Sequence, residues 1–296
     1  MRIVSLIPSA TEMLFALGAG DAVVGVTHEC DFPLEALDLP KVTRDRLPPG
    51  LDARGIDEAV RAHTEEGRAI YELDAGALRE LQPDLIVTQT LCAVCAVSAD
   101  DVRGVAATIE AEPEVLSLDA FTLGEVLGDL RILAEKTRRE AAGAEVIEDA
   151  AARIDAVQLA VRGASRPRVA ALEWLDPVFV AGHWVPQMIE FAGGENLLGF
   201  AGERSEVVSW EEVKAVAPEV VVVMPCGYDA ERAQEEAYTY GDELEELGAR
   251  KVVAVDASGL FSRPSHRLVD GLETLAHILH PDRVAEAPSA PLEVAL

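Results

Sequence analysis

One structural plan runs through this sequence twice, and that repetition limits its architecture more than any other feature. Arg2-Ile3-Val4-Ser5-Leu6 reads as a strand; a short loop and a helix over 11–17 follow, ending at Gly18-Ala19-Gly20-Asp21. Arg168-Val169-Ala170-Ala171-Leu172 is again a strand. A loop and the apolar run Val185–Phe191 follow, with a stop at Ala192-Gly193-Gly194-Glu195. A second pair matches more closely: Leu81-Gln82-Pro83-Asp84-Leu85-Ile86-Val87-Thr88 and Val216-Ala217-Pro218-Glu219-Val220-Val221-Val222-Val223, each preceded by a helix-like stretch. Two lobes of one design predict a cleft between them, where a ligand would sit.

Strands are predicted near 2–6, 22–27, 41–43, 84–89 and 114–118, then near 168–173, 178–181, 219–224 and 252–256. The alternation of strands with helices predicts an α/β fold with mainly parallel sheets covered on both faces. Ser9-Ala10-Thr11-Glu12 has the form of a capping box at the first helix, and Asp74 is a good N-cap for a helix running to Leu81. Between the lobes, apolar residues from Leu123 to Val161 recur at three- and four-residue steps. One helix of ~40 residues, ~60 Å long, would form a stiff strut with little domain closure, and Gly143 is where it would bend or split. The final helix spans 267–279, and 44–67 reads as a charged loop with one helical piece. The expected organisation is an N-terminal lobe over 1–120, a connecting helix over 121–163, a C-terminal lobe over 164–284 and a loose tail over 285–296.

At 296 residues the chain can bury two cores. A net charge of −28 argues against nucleic acid or an anionic membrane as partner; acids spread along the chain read as a solvated, self-repelling surface. No apolar run approaches the ~20 residues of a membrane helix. Met1 is followed almost at once by a strand, with no signal-peptide pattern. The chain as written is therefore expected in the cytoplasm, or in the periplasm or extracellular space if trimmed from a precursor.

Ligands of open parallel sheets bind beyond the carboxyl ends of the strands. The residues there include Pro8 and Ser9, His28 and Cys30, Gln89, Cys92 and Cys95, Trp174, Cys226 and Tyr228, and Phe261 and Arg263. In Cys92-Ala93-Val94-Cys95 the C-x-x-C spacing fits a redox pair at a helix start, half a metal site completed by His28, Cys30 or Cys226, or small buried groups packing behind the cleft. His28 could ligate a metal as neutral imidazole or simply sit hydrogen-bonded in its loop; His183, beside Trp184, is similar. Trp174, Phe179, Trp184, Tyr228 and Phe261 cluster around second-lobe loops, and flat apolar rings suit a large planar ligand. Neither a Gly-rich dinucleotide motif, a P-loop, a nucleophile elbow nor a zinc-protease motif is present.

The segment 2–18, Pro83-Asp84-Leu85-Ile86-Val87 and Gly193-Gly194-Glu195-Asn196 together resemble the cobalamin- and siderophore-type substrate-binding proteins of ABC importers, two-lobed proteins joined by one long helix. The similarity covers residues 1–282 and is strongest to the cobalamin-binding branch, with which 177–182 and 261–267 align as pocket segments. The resemblance implies that Phe179, Phe261 and Arg263 line the pocket, and that Gln89 replaces a tryptophan that packs on the corrin. It implies a permease-docking acid at Glu211; at the first-lobe docking position Asp100 and Asp101 stand where the branch has a glutamate. The C-x-x-C and Thr27-His28-Glu29-Cys30 look like features of a leaderless subgroup. The leading expectation is a monomeric, non-catalytic binder of cobalamin or another corrinoid, with an ABC permease as partner. The alternatives are a binder of haem or an iron chelate with a His or Cys axial ligand, and a metal- or thiol-dependent corrinoid-handling enzyme using Cys30, Cys92, Cys95 and Cys226.

Overall fold

The computed structural model describes residues 1–66, 69–90 and 99–296. Contacts divide the chain into two compact units, one of residues 1–120 with 126–147, the other of residues 121–125 with 148–296.

The first unit runs β1 (Ile3–Ser5), α1 (Pro8–Ala16), β2 (Val23–Val26), β3 (Thr43–Asp45), α2 (Ala53–Glu65), β4 (Tyr71–Leu73), α3 (Ala75–Leu81), β5 (Leu85–Thr88), α4 (Ala99–Ala106), β6 (Glu114–Ser117), α5 (Leu123–Thr137) and the start of α6 (Glu140–Val161). β2, β1, β5 and β6 pair in that order, all parallel. Alternate residues of these strands feed two apolar clusters: Ile3, Leu85 and Val87 join Leu14, Leu130 and Leu133, while Val4 and Ile86 join Leu78 and Val102. Strands buried on both faces explain why these runs are apolar throughout.

The second unit continues with β7 (Arg168–Leu175), β8 (Val178–Val180), α7 (Val185–Phe191), β9 (Glu195–Asn196), β10 (Glu206–Val208), α8 (Trp210–Ala215), β11 (Val220–Val223), α9 (Ala230–Thr239), α10 (Gly241–Glu246), β12 (Lys251–Ala254), α11 (Ala257–Leu260), α12 (Leu268–Leu279) and β13 (Leu292–Glu293). Its sheet has the order β10-β8-β7-β11-β12-β13, with β9 beside the start of β7. The centre, β7-β11-β12, is parallel as expected. The flanks are antiparallel: β8 folds back on β7, β10 on β8, and β13 on β12. The expected loose tail thus supplies an edge strand, and Val294 is buried beneath it.

The repeat seen in the sequence is a repeat of bonding. Arg2 Nε donates to the Leu81 carbonyl at 2.7 Å, and Asp84 accepts the Arg2 N–H at 2.7 Å. In the second unit Arg168 donates to the Ala217 carbonyl at 2.7 Å, and Glu219 accepts the Arg168 N–H at 3.0 Å. Each arginine occupies carbonyls left open at a helix end. Gln82 and Ala217 both have positive φ, 42° and 45°, where those helices turn into their strands. α1 and α7 both carry proline in the first turn and are followed by a left-handed glycine, Gly18 or Gly193.

Three expectations need correction. α1 starts at Pro8, which suits a first-turn proline, so the capping box does not form, and Ser9 and Glu12 are buried. The region 44–67 holds its expected helical piece as the 13-residue α2, capped by Asp52 accepting the Gly55 N–H at 2.8 Å, but it begins inside β3 and not in a loop. The strut is two helices. Arg138 has φ 58°, its N–H bonds the Glu135 carbonyl, and the Arg139 N–H reaches back to the Ala134 carbonyl at 2.7 Å. That is a Schellman stop formed without glycine. α6 then runs unbroken through Gly143 for 22 residues, about 33 Å. Gly143 serves packing instead: a Cβ there would lie 2.5 Å from that of Ala134 on α5.

Candidate ligand-binding site

In the first unit the carboxyl ends of the strands carry a layer of short polar side chains. Ser5 Oγ donates to the Ile7 carbonyl at 3.0 Å and accepts from Thr11 Oγ1 at 2.8 Å, while Cys30 Sγ lies 3.0 Å from Thr11 Oγ1. With the Thr11 proton given to Ser5, the Cys30 thiol is the donor at the end of this buried chain. His28 is fixed by Thr43: its backbone N–H donates to Thr43 Oγ1 at 3.0 Å, and its Nδ1 lies 2.7 Å from the same oxygen. Thr43 also bonds Thr27 at 2.8 Å. The His28 ring stands edge-on to Tyr71 at 5.0 Å, and the Tyr71 hydroxyl donates to Glu29 at 3.0 Å. Two polar atoms here, His28 Nε2 and Thr88 Oγ1, are buried with no hydrogen-bond partner among the described residues. Gln89, beside Thr88, is 7% exposed. Pro8 is half-buried at the start of α1.

The second unit places its aromatic residues in two groups. Trp174 and Phe179 are backbone partners across the β7–β8 pair. Val178 and Val180 point into the core, so Phe179 points to the other face and stays half-exposed. Behind Trp174, the buried Tyr228 ring makes an edge contact at 5.5 Å and carries the Arg232 guanidinium 3.7 Å from its centroid. In the second group Trp184 Nε1 donates to the Phe261 carbonyl at 2.7 Å, with both side chains buried. Tyr228, Trp184 and Phe261 therefore support the neighbouring loops, while Trp174, Phe179 and Arg263 are partly exposed.

Beside Trp184 stands His183, at φ 53°. Its N–H donates to the Glu203 carbonyl at 2.5 Å and its carbonyl accepts from Gly202 at 2.9 Å. A Cβ on Gly182 would lie 2.5 Å from the Arg204–Ser205 backbone, and one on Gly199 would run into the Ala181 carbonyl. The two loops thus touch main chain to main chain, which only glycine permits. The His183 ring lies 5.5 Å from both Phe121 and Trp184. Burial first, and the charge of Arg204 second, hold its pKa below the ordinary histidine value. Two residues of this loop cluster, Phe121 and Glu173, are not marked by any motif in the sequence. Phe121 belongs to this unit although it precedes α5 in the chain, and Glu173 accepts a hydrogen bond from Ser205; the glycines at 182, 199 and 202 were the available signal.

The proposed metal set is not assembled among the described residues, where no group of three or more His, Cys, Asp or Glu could hold an ion. Cys30 faces inward, Cys226 is exposed on the loop after β11, and Cys92 and Cys95 lie outside the described residues. The acids expected to dock a permease are exposed: Glu211 in the first turn of α8, and Asp100 and Asp101 in that of α4. No described helix is long and apolar enough to cross a membrane.

Two α/β units of one construction fit a solute-binding protein, and the chain belongs to the periplasmic binding protein family, whose pattern matches residues 3–246. It is similar to the vitamin B12-binding protein of Vibrio cholerae serotype O1, at 23% identity over 285 residues, covering 94% of this chain and 88% of that protein. Among solved structures it shares its fold with the periplasmic vitamin B12 binding protein BtuF of Vibrio cholerae (TM-score 0.68, 21% identity, 94% of this chain and 96% of that one). It also shares it with a periplasmic heme binding protein from Pseudomonas aeruginosa (TM-score 0.70, 20% identity, 100% and 98%). The resemblance read from the sequence is thereby borne out at the level of family and fold.

Proposed function

We propose that this protein binds a corrinoid without transforming it and presents it to an ABC permease. The observation that carries the reading is the similarity to the vitamin B12-binding protein of Vibrio cholerae along 94% of the chain. The partly exposed Trp174–Phe179 pair supports it, because two rigid aromatic rings cover a flat macrocycle at small entropic cost. Gln89 contributes a polar contact from the first unit in place of the ring used by the cobalamin branch. Glu211 with Asp100 and Asp101 are the docking acids, and the periplasmic relatives favour action outside the cytoplasm over the cytoplasmic expectation.

A haem-binding reading draws on the Pseudomonas aeruginosa neighbour. Equilibrium dialysis of the purified chain against cyanocobalamin, cobinamide and haem separates the two. Retention of both corrinoids with little haem supports the proposal; retention of haem alone replaces it with the second reading.

A further inference from the structure

Resting on the corrinoid reading, we propose that His183 supplies an axial nitrogen ligand to the cobalt of the bound corrinoid.

The backbone is the first reason. A non-glycine residue at positive φ is costly and persists only where its surroundings hold it. Here the hold is specific. The His183 N–H and carbonyl are both bonded to the 202–203 turn, and Gly182 allows the opposing main chain to approach with no side chain between. A histidine thus occupies a position better suited to asparagine or glycine, on a loop too tightly braced to drift.

The ring is the second reason. It is set between Phe121 and Trp184, each 5.5 Å away and tilted by 31° and 38°, so its direction is fixed by packing. Neither ring nitrogen is hydrogen-bonded among the described residues, and the side chain is only partly buried. An imidazole with no hydrogen bond at either nitrogen has a lone pair to offer a metal.

Its location is the third reason. α7 follows His183 and runs back to β9, which starts beside Arg168, the first residue of β7. Trp184, the next residue, donates to the Phe261 carbonyl just past the end of β12, which places the start of α7 near the carboxyl edge of the parallel strands, where open α/β sheets bind ligands.

The step is a substitution at cobalt. The imidazole nitrogen donates its lone pair to form a Co–N bond, the axial water leaves as water, and no electron is transferred.

Cobinamide lacks a nucleotide base, so any axial nitrogen must come from the protein. The decisive experiment is electron paramagnetic resonance of cob(II)inamide bound to the whole chain, compared with a His183→Asn variant, since asparagine tolerates positive φ. Calorimetry with cyanocobalamin, whose axial positions are filled, is run on both. The expected result is a triplet nitrogen splitting in the wild type that becomes a doublet with 15N-labelled histidine and is lost in the variant. Cyanocobalamin affinity should stay within about twofold. Bound cobinamide without the splitting, or a splitting that survives in the variant, overturns the assignment. Failure of the wild type to bind either corrinoid overturns the underlying reading instead.

Discussion

Trp174 is the penultimate residue of β7, the longest strand among the described residues, and is packed on Tyr228 while staying partly exposed. An indole in that position offers a ligand a large rigid surface whose orientation has been fixed in advance by the core. Replacing it with alanine should weaken cyanocobalamin binding about tenfold, which is ~1.4 kcal/mol, measured by calorimetry. Trp184 and Phe261 are buried, so alanine there should lower the melting temperature before it changes affinity, at ~3–5 kcal/mol each. His266 titrates at this scale too. Burial lowers its pKa more than nearby Asp270 raises it, with Arg267 and Arg153 adding to the lowering, and its Nδ1 is buried without a partner. The unfolded chain therefore holds more protons than the folded one just below the ordinary histidine pKa, so stability falls as pH drops through about 6.5. A His266→Gln variant should show a shallower fall in melting temperature between about pH 7 and 5. A slope equal to that of the wild type would contradict this.

At the scale of elements, the junction of α5 and α6 gives the sharpest test. Helix propensity alone favours Gly143→Ala by ~1 kcal/mol, but the new methyl would meet the Ala134 Cβ at 2.5 Å, and overpacking costs ~1–3 kcal/mol. Denaturant unfolding should show the variant less stable than the wild type. Arg138→Gly should have the opposite effect, stabilising by about 0.5–1 kcal/mol, because φ 58° suits glycine. The two positions also show what sequence can and cannot convey. Apolar spacing from Leu123 to Val161 was real, since both helices bury that stripe, yet the stop after Thr137 uses arginine where the usual signal is glycine. Gly143 carried the helix-breaking signal and instead permits a close crossing, a long-range contact that local sequence does not encode. The strands were legible because burial on both faces leaves unbroken runs such as Val220–Val223. The antiparallel flanks β8, β10 and β13 were harder, being short segments whose partners are set by packing. The five rings read as one aromatic cluster fall in two groups, with Trp184, Tyr228 and Phe261 buried, because side-chain direction and long-range packing are not written in local sequence.

At the scale of the whole molecule, the last residues are part of the second sheet. β13 covers the edge of β12, and the Gln234 side chain donates to the Glu293 carbonyl at 2.6 Å. Removing residues 288–296 should lower the melting temperature and expose an unpaired edge prone to self-association, which light scattering would detect. The duplicated Arg2–Asp84 and Arg168–Glu219 corners give the two units a shared construction. Titration calorimetry of the intact chain with cyanocobalamin decides whether the ligand is a corrinoid. The expected result is saturable binding of a single corrinoid per chain, with a dissociation constant of about 1 μM or tighter and a negative heat-capacity change from apolar burial. A flat titration with cyanocobalamin under conditions in which haem saturates the protein would contradict it.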